Sequence, residues 1–387
     1  MAFPLPLNPL KGTSYSSTWL LDIGYSTPSH FSIRYSLFVV QLTYFCVLDK
    51  HPMLRNILAF SLFALLCIQC KSKSTDESNS IGTTGNPAID AITEQIKDKP
   101  DDPQLYLQRA QLFYENQAYD QAIQDIAQVM KLDSTNLRAH HLLADAYLDH
   151  NQSALALKTM QRAVALYPDS IRTKLKLSEF QLILKQYNAA MHTLEDIMAI
   201  RPGDPEALFM LGMVYKDQGK TEQAIAAFQS AVERNPDMVE AWVILGDLMD
   251  RTHNPMAIQY FDNAIRVDPN NVEALHAKAY YLQNNDRVEE ALAIYKQIHL
   301  INPQYPEAYL NTAILQLYRD SLDAAMKELT ILKGIDPTNA AAWFYIGKVH
   351  QFRGEKEQAQ ASFEQALKLD EHYEQAIDAL QELKEQK

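Results

Sequence analysis

The chain has 387 residues, is 47% hydrophobic and carries a formal charge of −13 at pH 7. That apolar share fits a folded chain rather than wholesale disorder, and the acidic balance argues against a nucleic-acid binder, which needs a basic footprint. All three cysteines, Cys46, Cys67 and Cys70, precede Lys71, so the rest of the chain holds neither a structural disulfide nor a cysteine-based zinc site.

In chain order, residues 1–52 are rich in Ser, Tyr, Phe and Pro and follow neither a helical nor an alternating period. They read as a mis-called upstream extension ahead of a start at Met53, or as disordered chain. A membrane segment at Phe31–Leu48 is the rival, but Arg34 and Gln41 interrupt it. Residues 53–70, "MLRNILAFSLFALLCIQC", combine a short basic start at Arg55 with an apolar run from Ile57 to Leu66 broken only by Ser61. The run has the length of a signal-peptide core and is short for a permanent span. It resembles a bacterial lipoprotein signal, in which Cys70 would be acylated as the new N-terminus. Gln69 stands where such signals usually carry a small residue, Cys67 fits less well, and a plain secretory peptide or a buried apolar segment are the alternatives. Residues 71–87 are Ser/Thr/Gly-rich and read as a flexible tether.

From residue 103 the chain repeats itself. Stepping back from Trp343 gives Tyr309, Leu275, Trp242, Leu208, Lys174, His140 and Tyr106, each step 34 residues except one of 33. Four residues after each stands a small one: Ala110, Ala144, Ser178, Gly212, Gly246, Ala279, Ala313 and Gly347. A second small column runs Ala122, Ala156, Ala190, Ala224, Ala257, Ala291, Ala325 and Ala359, and a large apolar residue follows each by four. Six units close on Pro168, Pro202, Pro236, Pro269, Pro303 and Pro337. Each unit contains two amphipathic stretches around a polar turn and so predicts a helical hairpin. Small residues let helices approach, and the closing Pro stops the second helix. Asp204 should cap a helix with Pro205 in its first turn, and Gly219 and Gly354 should take positive φ in their turns. The residue missing from the fifth unit falls between Met249 and Ala257, which should spare both helix faces.

These columns resemble the tetratricopeptide repeat. The resemblance spans eight units, 103–136, 137–170, 171–204, 205–238, 239–271, 272–305, 306–339 and 340–373, flanked by capping helices at 88–101 and 374–387. It implies an all-α fold, an α-solenoid wound into a right-handed superhelix, with the caps shielding its ends.

No HExxH, GxxxxGK[ST] or GxSxG occurs. His141 and Asp145 share a helix face but offer only two ligands, too few for a metal site. The chain is therefore expected to be no enzyme and to need no cofactor or metal. In this family the first helix of each unit lines a concave groove. Register carries that role to Leu175, Phe209, Met213, Val243, Tyr280, Leu310, Ile314, Leu317, Phe344 and Phe352, with Glu206, Glu240, Glu273 and Glu307 as an acidic edge. The groove residues are expected to be dispensable to the core and to bind a protein or extended peptide. The chain resembles bacterial tetratricopeptide lipoproteins, which implies a lipid-tethered interaction scaffold in the cell envelope, on an outer membrane facing the periplasm, possessing no nucleic-acid partner. The alternative is a substrate-recruiting or regulatory array serving a separate enzyme, such as a glycan-handling one.

Overall fold

The computed structural model describes residues 85–385, which form helices and turns with no strand among them. The upstream extension, the signal with Cys70, and the tether before residue 85 lie outside the described residues. Two compact units separate, 85–227 and 228–385 among the described residues.

The first unit contains α1 (Pro87–Asp98), α2 (Pro103–Glu115), α3 (Tyr119–Leu132), α4 (Leu137–Asp149), α5 (Ser153–Leu166), α6 (Ile171–Ile183), α7 (Tyr187–Ile200) and α8 (Pro205–Asp217). The division falls within α9 (Thr221–Arg234). The second unit continues with α10 (Val239–Arg251), α11 (Ala257–Val267), α12 (Val272–Asn284), α13 (Val288–Ile301), α14 (Pro306–Tyr318), α15 (Leu322–Ile335), α16 (Ala340–Phe352), α17 (Lys356–Leu369) and α18 (Glu374–Glu385). In each unit a helix packs against its hairpin partner and then against the first helix of the next hairpin. The units are all-α solenoids of stacked hairpins.

Local chemistry sets the boundaries. Asp102, Asn136, Ser170, Asp204, Asn271 and Asn339 each accept a hydrogen bond from a backbone N–H of the helix they open. Such a cap is worth about 1 kcal/mol. Asp204 does so as expected, its Oδ1 lying 2.9 Å from the Ala207 nitrogen ahead of Pro205. The second helices α5, α7, α11, α13 and α15 each stop two residues before a closing Pro, because the residue preceding a proline is pushed out of the helical region. Gly219 and Gly354 do take positive φ, but so do Gln117, Asn151, Lys185, His253, Asp286 and Asp320 at the matching turn positions. Six side chains thus hold a conformation that glycine adopts more cheaply.

The small and large columns meet inside each hairpin. The second-column alanines are all fully buried. A Cβ on Gly347 would lie 2.5 Å from the Phe363 ring, and one on Gly246 would collide with Phe261. The glycine on the first helix is what lets the second come close. Where a column lapses, a polar contact stands in. Lys174 reaches Asp196 at 3.4 Å, and buried His140 sets Nδ1 2.9 Å from the Asn136 carbonyl. In the fifth hairpin the deletion spares the core face of the second helix but shortens that helix. α11 begins at Ala257 itself, whereas α13 begins three residues before its equivalent Ala291. Ala257 N–H bonds three residues back, to Asn254, where Ala291 bonds four back, to Arg287. The turn through Pro255 absorbs the missing residue by removing the first helical turn, while Ala257, Phe261 and Ala264 still face the core.

At the ends, α1 turns Ile89 and Ile96 inward, and α18 buries Ala376, Ala379 and Leu383 beneath a charged outer side. Ala88, in register with the buried alanines, is exposed because no described helix precedes α1 to pack on it.

A candidate protein-binding face on the first helices

In the second unit the first helices α10, α12, α14 and α16 lie side by side, α12 touching α10 and α14, and α14 touching α16. This proximity decides the fate of the expected groove residues. Val243, Ile314, Leu317 and Phe344 are buried, and Tyr280 and Leu310 are half-buried. Only Phe352 stands well into solvent, at 46% exposure, matched by Tyr318 at 46% in the same position one repeat earlier. In the first unit Phe209 and Met213 are also buried, and Leu175 is half-buried. The expectation that these side chains are dispensable to the core is therefore corrected for six of the ten. They are used in holding the solenoid together. Phe344 shows why: its ring sits 5.0 Å from Tyr345, 5.6 Å from Phe363 on α17 and 5.4 Å from Tyr373 ahead of α18.

Polar groups tie neighbouring first helices together. In the first unit Tyr114 on α2 donates to Asp149 on α4, and Lys176 on α6 reaches Asp145 on α4 at 2.8 Å. Asp145 is thus engaged by an ammonium. Among the described residues no group of three His, Cys, Asp or Glu is placed to hold a metal ion. Tyr187 donates to Asp217 at 2.6 Å, and its phenol is pushed up to about 12 by burial and by that carboxylate.

The second unit holds a cluster that sequence reasoning missed. His276 on α12 sets Nε2 3.0 Å from the Asn311 amide nitrogen on α14. Its ring is surrounded by Tyr280 at 6.3 Å, Tyr295 at 6.0 Å and Tyr305 at 5.6 Å. Tyr295 in turn donates to Gln283. No carboxylate offsets the loss of water, so the imidazole is pushed down to about 4. The signal available beforehand was the 35-residue offset between His276 and Asn311, which no column highlights.

His141 is likewise depressed to about 4, by burial and then by the Lys176 charge. Both imidazoles bind a proton less tightly folded than unfolded, where the value is near 6.5. Their contribution to stability is present above that value and lost as pH falls towards 4. The urea midpoint is expected to drop between pH 6.5 and 4, and to drop less in a His141→Gln/His276→Gln variant. An identical slope in the variant would remove these two residues from the account.

Equal helical hairpins, small-against-large columns and capped ends define a helical-repeat protein, and in its second unit the first helices lie side by side. Among the described residues no helix is long and apolar enough to cross a membrane. Models of the tetratricopeptide repeat match residues 113–177, 181–245, 260–293 and 340–373, together just over half the chain. The chain belongs to the tetratricopeptide repeat family. It is similar to the peroxisomal targeting signal receptor of Saccharomyces cerevisiae, 25% identical over 264 residues, which are 64% of this chain and 42% of that protein. It is also similar to a DnaJ homolog subfamily C member 7 homolog of Dictyostelium discoideum, 22% identical over 57% of this chain and 46% of that one. The matches span less than half of either relative. Among solved structures, the C-terminal part of a TPR repeat-containing protein from Cytophaga hutchinsonii aligns with a TM-score of 0.48 at 20% identity, covering 61% of this chain and 98% of that one.

Proposed function

We propose that the chain is a non-enzymatic interaction scaffold that holds a protein or an extended peptide on the face that the first helices of its second unit share. The observation that carries this is the pair Tyr318 and Phe352, half-exposed aromatic side chains at matching positions on α14 and α16. Aromatic surface left half in solvent at the same position of successive hairpins supports a contact site there. The yeast relative is by name a receptor for a targeting signal, which supports a binding role here. We further propose that acylation at Cys70 tethers the scaffold to a bacterial envelope membrane, an outer membrane facing the periplasm, where it serves envelope assembly. The apolar run ending at Cys70 supports this part.

Affinity capture from envelope extracts, followed by titration of the purified partner, tests the scaffold. Tyr318→Ala/Phe352→Ala is expected to weaken binding by about 5- to 150-fold per anchor that fills a pocket, with melting nearly unchanged. A partner held at full strength by this variant refutes the assignment. Cys70→Ser tests the tether separately: the protein should move from the membrane to the soluble fraction, because acyl chains hold by apolar burial. An unmodified Cys70 by mass spectrometry removes the tether and leaves the scaffold.

A further inference from the structure

On α12, Glu273, His276 and Tyr280 fall at i, i+3 and i+7, one face of the helix; on α14, Glu307 and Asn311 fall at i and i+4. The 3.0 Å contact between His276 and Asn311 joins the two stripes. Glu273 and Glu307 lie in the first turns of these two helices, and the rings of His276 and Tyr280, inclined by 27°, follow on the α12 stripe. Tyr280, Tyr305, His276 and both glutamates keep part of their surface exposed.

The electrostatics of the patch are unbalanced. Among the described residues neither Glu273 nor Glu307 has an ion-pair partner. Partial burial holds the Glu307 carboxyl above the usual range, a hydrogen bond from its own backbone N–H pulls the other way, and Asp336 adds to the rise. The only cation on α12 or α14, Lys278, is engaged by Asp262 at 2.6 Å. His276 is neutral at pH 7, so it repels no cation. Residues 228–387 hold 25 acidic and 15 basic side chains, a field that draws in positive partners.

We propose that this patch receives the guanidinium of an arginine in an extended partner segment, its plane against the Tyr280 and His276 rings and its N–H groups donating to Glu273 and Glu307. A guanidinium suits both halves at once, because it is planar and stacks on aromatic faces while its fork meets carboxylates. An ammonium satisfies only the charge. The proposal rests on the scaffold role above and adds the class of side chain read by the second unit.

The test is a selection of random linear peptides on the full chain, followed by anisotropy titration of a labelled selected peptide. That peptide carries arginine, lysine or citrulline at the enriched position. Arginine should be enriched, and citrulline, its neutral isostere, should weaken binding about tenfold or more, the scale of one charge-assisted hydrogen bond. Lysine should fall between them. In a Glu273→Gln/Glu307→Gln variant of unchanged melting, the gap between arginine and citrulline should close, which isolates the pairwise interaction. A selection without arginine enrichment, an empty one included, overturns the proposal. So does equal binding of lysine and arginine, or a gap that survives in the variant. Arginine-free peptides lost on Tyr318→Ala/Phe352→Ala would remove the subsite but keep the scaffold role. Peptides indifferent to both variants would remove both.

Discussion

Asp125→Ala is expected to cost about 3–5 kcal/mol and to open the 85–132 end of the chain before the rest. Arg109 lies in a column that is Leu143, Leu177 and Leu211 in the next three repeats, so its guanidinium is carried into the core. Nε and Nη2 each lie 2.7 Å from an Asp125 oxygen, and Nη1 is 3.0 Å from Thr93 on α1. Tyr106 and Phe113 cover it at 5.8 and 5.9 Å. Both charged residues are buried, and burial pushes the Asp125 carboxyl up while Arg109 pulls it down. The pair itself adds little net stability, since desolvation offsets attraction. Removing one partner leaves a buried charge uncompensated, and that is the large term. Arg109→Leu/Asp125→Ala should therefore recover most of the loss, because Leu and Ala occupy these columns elsewhere, at Leu211 and Ala227. Chemical denaturation measures the energies, and hydrogen exchange should show protection lost in α1–α3 but kept in α14–α16, as a solenoid couples mainly neighbours. A loss below about 1 kcal/mol, or one spread evenly along the chain, would contradict this.

Much of the fold was legible because each hairpin repeats the same steric problem. Ala291 and Ala325 recur where a neighbouring helix must come close, and Pro303 and Pro337 recur where a helix must stop. What was not legible depends on residues the repeat leaves free to vary. Lys185 and His253 sit at positive φ because the turn fixes the backbone whatever the side chain. Arg109 and Asp125 lie 16 residues apart, and neither looks buried without the other. His276 and Asn311 belong to different repeats, so no pattern within one unit pairs them. The groove positions misled for a related reason. Register correctly placed Phe344 and Val243 on first helices, but it treated each hairpin alone. The stacking of α12, α14 and α16 is what closes over most of that face.

Phe344→Ala is expected to cost about 3–5 kcal/mol, the scale for deleting a buried aromatic ring and leaving its cavity. At 5% exposure the ring contacts Tyr345, Phe363 and Tyr373, and tilted aromatic pairs add to what area alone provides. The surroundings relax poorly, because Phe363 is already set against Gly347 on the same helix pair. The damage should be local, with α16–α18 losing protection and melting at lower denaturant than the hairpins before them. Phe352, eight residues on and 46% exposed, provides the contrast: its replacement by Ala should change stability by no more than about 0.5 kcal/mol. Weaker partner binding in Phe344→Ala would therefore report unfolding of the last hairpin, while weaker binding in Phe352→Ala would report a lost contact. If Phe344→Ala melts like the unmodified chain, the ring is not the bolt between α16, α17 and the C-terminal cap.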